Sequence, residues 1–145
     1  MKNIISTIFA FALIFVTTFA KAQQITSEQQ KRFQTGNVEE FKKAFPKASI
    51  NKCIDVKDES FTPLAYATRH SKTEIFNYLI KSGADVNVAC KGNTALMEGA
   101  KFDVPAFVKI LLQKGADKNA KDNTGATAKD YAVQYKRTQI LELLK

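Results

Sequence analysis

Lys81-Ser82-Gly83-Ala84-Asp85-Val86-Asn87 decides how this chain is read, because it returns as Lys114-Gly115-Ala116-Asp117-Lys118-Asn119. Each copy closes an amphipathic stretch. Glu74-Ile75-Phe76-Asn77-Tyr78-Leu79-Ile80 precedes the first, and Ala106-Phe107-Val108-Lys109-Ile110-Leu111-Leu112 precedes the second. Gly83 and Gly115 stand 32 residues apart. A fixed period of that size marks one supersecondary unit repeated, whose core forms only when neighbours stack. A glycine just past the last apolar position ends a helix in the left-handed conformation, which a Cβ disfavours.

Working outward, Thr62, Thr94 and Thr127 recur at intervals of 32 and 33 residues. Thr62 reads as a helix N-cap with Pro63 in the first helical position, where its missing N–H costs nothing. Ile75, Phe107 and Ile140 each stand 13 residues after their threonine, and Tyr78, Ile110 and Leu143 each stand 16 after. This register places Leu79, Leu111 and Leu144 in the core. In the third unit Asp103 reads as an N-cap, with Pro105 in the following turn. Upstream, Ser27-Glu28-Gln29-Gln30 reads as an S-x-x-Q capping box. That helix breaks at Gly36-Asn37, and a second runs from Val38 to Phe45. The stretch from Ala48 to Phe61 reads as irregular. The expected fold is all-α: a solenoid of about four helix-turn-helix units joined by short links. Approximate unit bounds are 24–57, 58–90, 91–122 and 123–145.

The first residues have a different character. Met1-Lys2-Asn3 precedes an apolar run from Ile4 to Phe19, and Ala20-Lys21-Ala22 supplies small residues before Gln23. This is the layout of a secretory signal peptide over residues 1–22, removed on export to a periplasmic or extracellular destination. The whole chain of 145 residues has a formal charge of +8; without Lys2 and Lys21 it carries 20 basic and 14 acidic side chains, net +6. A positive surface favours acidic partners, or serves solubility alone. Cys53 and Cys90 are too few for a disulfide framework and lack CxxC spacing. They lie in successive links between units, where an oxidising compartment would allow one bridge, and spacing alone leaves both states open.

Thr62-Pro63-Leu64 and Thr94-Ala95-Leu96 resemble the T-P-L-H motif of the ankyrin repeat family, and Gly83-Ala84-Asp85-Val86-Asn87 matches that family's G-A-D-V-N motif. Asn119 to Thr127 is similar to the family's inter-repeat hairpin. The motif histidine is replaced by Ala65, Met97 and Asp130. The resemblance implies a protein-binding scaffold whose partner surface lies on hairpin tips and on the ends of the first helices, seven and eight residues after each threonine. Those ends are Arg69 and His70, Lys101 and Phe102, Gln134 and Tyr135, with Phe61, Lys91 and Asn93 at the tips. Aromatic and Arg side chains are the usual anchors of binding surfaces. Phe102 and Tyr135 folding down as packing is the competing reading.

No catalytic constellation emerges. His70 has no Ser or Cys near it in sequence and reads as a groove residue rather than a base. Asp55, Asp58 and Glu59 lack the ligand spacing and turn glycine of a calcium loop. Neither cofactor nor metal is expected. The chain is therefore expected to be a monomeric, non-enzymatic, exported module that binds a protein with an acidic rim. Export disfavours nucleic acid, and signal cleavage leaves no stable membrane insertion. The alternatives are a basic protein docking on anionic envelope polymers or lipids, and a periplasmic immunity or enzyme-protecting protein.

Overall fold

A computed structural model describes residues 23–145, so the expected leader over 1–22 lies outside the described residues. In chain order the elements are β1 (Gln23–Gln24), α1 (Ser27–Thr35), α2 (Val38–Ala44), β2 (Ile54–Val56), β3 (Glu59–Phe61), α3 (Pro63–Arg69) and α4 (Thr73–Lys81). Then follow α5 (Ala95–Lys101), α6 (Pro105–Gln113), α7 (Ala128–Gln134) and α8 (Thr138–Leu143). One 3-10 turn, Lys47–Ser49, follows Pro46.

Three threonines start α3, α5 and α7 as their spacing predicts. Thr62 Oγ1 accepts from the Ala65 N–H at 3.0 Å, Thr94 Oγ1 from Met97 at 3.2 Å, and Thr127 Oγ1 from Asp130 at 3.3 Å. Each satisfies an amide that the first helical turn leaves without a partner. The helices α3, α5 and α7 lie side by side, and α2, α4, α6 and α8 form the second layer. Leu79, Leu111 and Leu144 are buried between them, as the register requires. The outer layer is continued by Phe76 on α4 against Phe107 on α6. At the N-terminal end Phe33, Phe41 and Phe45 pack together, and Phe33 meets Tyr66 of α3 edge to face at 4.6 Å.

The body is a helical repeat solenoid, but the all-α expectation fails at its N-terminal edge. β2 and β3 pair antiparallel around Lys57-Asp58, and β1 adds parallel to β2. The stretch that reads as irregular therefore contains a hairpin. Its cross-strand partners Ile54 and Phe61 are both buried, which gives the short strands an apolar reason to pair. Two helix starts also move. Thr26, not Ser27, caps α1: its Oγ1 accepts from Gln29 N–H at 3.1 Å while Gln29 Oε1 accepts from Thr26 N–H at 3.0 Å. Asp103 does not cap α6; it adopts a left-handed φ of 58°, and Val104 stands at the cap with Pro105 behind it.

Side-chain amides tie successive links together. Asn51 Oδ1 accepts from Asp85 N–H at 2.9 Å, and Asn87 bonds both Asp117 N–H at 2.8 Å and the Gly115 carbonyl at 3.0 Å. Asn123 Nδ2 donates to the Lys91 carbonyl at 3.1 Å. The motif histidine is absent, and in the last unit Asp130 takes over a capping role by accepting from Thr127 N–H at 2.8 Å. Cys53 and Cys90 form a disulfide across 37 residues, with Cα atoms 5.7 Å apart. It joins the strand region to the link that follows α4.

Candidate functional site

The ends of α3, α5 and α7 project Arg69, Lys101 and Gln134, followed by the capping residues His70, Phe102 and Tyr135. Arg69, Lys101, Phe102 and Tyr135 meet around an open cleft of about 510 Å³, which Glu59, Glu98, Tyr131 and Arg137 complete. Phe102 is 44% exposed and Tyr135 is 46% exposed, so neither ring is consumed by packing. Both also touch the scaffold. The Arg69 guanidinium lies 4.8 Å from the Phe102 ring centre, and Tyr135 stacks over Tyr131 at 6.4 Å.

The remaining expected site residues are placed differently. Phe61 is 1% exposed: as the last residue of β3 it faces the core beside Tyr66, so it is no tip residue and offers no surface. What it supplies is a second ring for Arg69, 4.9 Å from the guanidinium carbon. His70 is exposed but lies outside the cleft, with its ring 4.4 Å from Tyr66. Desolvation on the side of that ring, then Arg69 and Lys72, holds its pKa below the usual imidazole value. Lys91 is exposed at the tip, with its Nζ 3.5 Å from the Asp58 carbonyl. Asn93 turns inward, accepting from Lys101 Nζ at 2.9 Å and so fixing that side chain. Gln134 is exposed and lies outside the cleft lining.

The cleft cations are held rather than loose. Arg69 pairs with Glu59 at 2.8 Å. Lys101 Nζ sits 4.1 Å above the Tyr131 ring centre and 3.4 Å from Glu98 Oε1. Arg137 donates to the Lys101 carbonyl at 3.1 Å and approaches Asp103 at 3.5 Å. The Tyr131 hydroxyl donates to Asp122, and that bond pushes its pKa up to about 12. The same bond, with those from Thr124, holds the Asp122 carboxyl well below its usual range.

Glu98, Tyr131, Arg137 and Glu59 are the site residues that sequence reasoning missed. The signal for two of them was the same register that located the helix ends. Tyr66, Glu98 and Tyr131 each stand four residues after their threonine, so a carboxylate occupies a column otherwise filled by tyrosines. Among the described residues there is no group of three or more His, Cys, Asp and Glu side chains able to hold a metal ion. No described helix is long and apolar enough to cross a membrane.

Comparison with known proteins places this geometry in a family. The family model described as "Ankyrin repeats (3 copies)" matches residues 88–145, and the single "Ankyrin repeat" model matches residues 59–91. The chain is 36% identical over 97 residues to Zygote-specific protein 3 of Chlamydomonas reinhardtii, covering 65% of this chain and 26% of that protein. It is 30% identical over 82 residues to BRCA1-associated RING domain protein 1 of Caenorhabditis elegans, covering 55% of this chain and 12% of that protein. A putative ankyrin repeat-containing protein of Treponema pallidum is 35% identical over 92 residues, covering 61% of this chain and 31% of that protein. The chain thus spans less than a third of the length of these curated relatives. Ankyrin repeats generally act as interaction modules without chemistry of their own. From the threonine-capped helix pairs, the glycine-ended helices and these matches, the chain belongs to the ankyrin repeat family.

Proposed function

We propose that this chain is an exported, non-enzymatic module that binds a protein partner through the cleft at the ends of α3, α5 and α7. The observation that carries this reading is the pair of half-exposed rings, Phe102 and Tyr135, set beside Arg69, Lys101 and Arg137 in one cleft. Exposed aromatic rings at the centre of a patch, rimmed by anchored cations, are what partner surfaces are built from. Export is supported by the apolar leader before Gln23 and by the Cys53–Cys90 bridge, since disulfides persist in oxidising compartments. Cleavage before Gln23 would leave β1 at the new amino terminus.

The test is affinity purification of the tagged protein from its native compartment, followed by rate measurements with the recovered partner. Phe102→Ala and Tyr135→Ala should each weaken binding by ~2 kcal/mol, mainly through faster dissociation. Lys81→Ala, at the exposed end of α4, should change nothing. A partner that binds the Phe102/Tyr135 double variant as tightly as the parent docks elsewhere. The net +6 of the chain from Gln23 favours a second reading, docking on anionic polymers or lipids. Steep loss of binding with added salt, indifferent to both rings, would select it.

A further inference from the structure

Glu98 is 1% exposed, yet it lines the cleft. Its Oε1 receives Lys101 Nζ at 3.4 Å, and its Oε2 receives no hydrogen bond. Arg69 approaches Oε2 at 3.9 Å, beyond hydrogen-bond reach. A buried carboxylate oxygen without a donor is costly and uncommon in folded proteins. The neighbouring donors are committed elsewhere: Arg69 to Glu59 at 2.8 Å, and Lys101 to Asn93 at 2.9 Å. A second group in the same lining has the opposite defect. Arg137 uses its terminal nitrogens on Lys101 and Asp103, while its Nε is buried with no acceptor.

An unused acceptor and an unused donor in one cleft narrow the occupant. An incoming cation would join Arg69 and Lys101, which already neutralise Glu98, and would also face Arg137. An incoming carboxylate could use Arg137 but would set its own lone pairs against Glu98 Oε2 and meet Glu59 as well. An uncharged group that both donates and accepts satisfies both atoms at no cost in charge. A planar amide does so, and its faces suit the flanking rings.

We propose that the cleft is a subsite for an uncharged carboxamide, a glutamine or asparagine side chain of the protein partner. Its N–H donates to Glu98 Oε2 and its carbonyl accepts from Arg137 Nε, between the rings of Phe102 and Tyr135; both atoms are closed to solvent in the unbound chain, so the covering side chains move aside as the amide enters. The subsite rests on the reading of this cleft as the partner-binding face.

Titration of the purified, disulfide-bonded protein with N-acetyl-glutamine methylamide tests the subsite, with the lysine and glutamate analogues as comparisons. The readouts are the nuclear magnetic resonance signals of the Glu98 carboxyl carbon and of Arg137 Nε. The glutamine compound should shift both signals saturably, and the charged analogues should bind about tenfold more weakly, since each leaves a buried group unmatched. In Glu98→Gln the side-chain oxygen stays with Lys101 and an NH2 takes the place of Oε2. That variant, and Arg137→Lys, should each bind the glutamine compound about tenfold more weakly. No saturable shift in the parent protein, or stronger binding of the lysine or glutamate analogue, overturns the subsite. If the glutamine compound fails while Phe102→Ala and Tyr135→Ala still weaken the recovered partner, the subsite falls and the partner face stands. If the compound saturates the cleft while the partner ignores both ring variants, the partner docks elsewhere and its glutamine is not the occupant.

Discussion

Phe76 and Phe107 lie ring on ring, their centroids 4.0 Å apart and their planes within 9° of parallel. The first closes against the second across the boundary between α4 and α6, so each ring is covered by a ring of the neighbouring unit. Phe76 is fully buried and Phe107 nearly so. Truncating either ring removes a transfer contribution and leaves a cavity at an inter-unit boundary. Phe76→Ala should cost about 3–5 kcal/mol in denaturant unfolding. The double-mutant cycle with Phe107→Ala should leave a coupling of about 0.5–1.5 kcal/mol. Simple additivity would mean that the rings act independently of their stacking.

The Cys53–Cys90 bridge closes a loop of 37 residues. Restricting the unfolded chain over that span should contribute about 2–4 kcal/mol. The Cys53→Ser/Cys90→Ser double variant should melt correspondingly lower, and unreduced, denatured parent protein should show no free thiol. Two titratable thiols in that sample would remove the bridge.

Gly83 and Gly115 adopt φ angles of 81° and 85°, and a Cβ at either would meet nothing within 4 Å. Their alanine variants should each lose about 1 kcal/mol through backbone conformation alone. Gly92 has the same φ of 85°, but a Cβ there would fall 2.8 Å from the Asn123 backbone nitrogen. Gly92→Ala should therefore destabilise more than the other two, and its excess should appear as loss of the Asn123–Lys91 hydrogen bond by amide exchange. Equal melting temperatures for all three variants would contradict the close approach.

Burial holds the Glu98 carboxyl above its ordinary pKa of 4.5, against the opposing pull of Lys101 and Arg69. The folded protein thus holds this proton more tightly than the unfolded chain. The stability it brings is complete below pH 4.5 and is lost as pH rises through the raised folded value. Urea titrations of parent and Glu98→Gln should diverge over that window, with the parent falling relative to the variant as pH increases. Parallel pH profiles would show that Glu98 titrates as it does in the unfolded chain.

Local chemistry made most of the scaffold legible. Thr62, Thr94 and Thr127 announce helix starts by themselves, and Gly83 and Gly115 announce ends, because the required side chain or its absence is written at that position. Phe102 and Tyr135 could be placed by counting from those threonines. The sheet could not, since β1 and β2 pair residues some thirty positions apart and three residues carry too little alternation to declare a strand. Phe61 looked like a tip residue because its hairpin was not visible. Asp103 looked like a cap because its side chain suits one, whereas the chain instead needed a left-handed turn residue before Val104 and Pro105. Glu98 escaped notice because its burial is tertiary: α3 and α7 cover it from both sides.

The disulfide has a mechanical consequence as well. Pull on the two ends of this chain and the load passes from Cys53 to Cys90 through two sulfur atoms. The bypassed 37 residues represent about 120 Å of contour at ~3.3–3.6 Å each. The oxidised protein therefore cannot pay out α3 and α4 under tension; among the described residues, extension comes from those before Cys53 and those after Cys90. Reduction returns those residues to the extensible length of the tether.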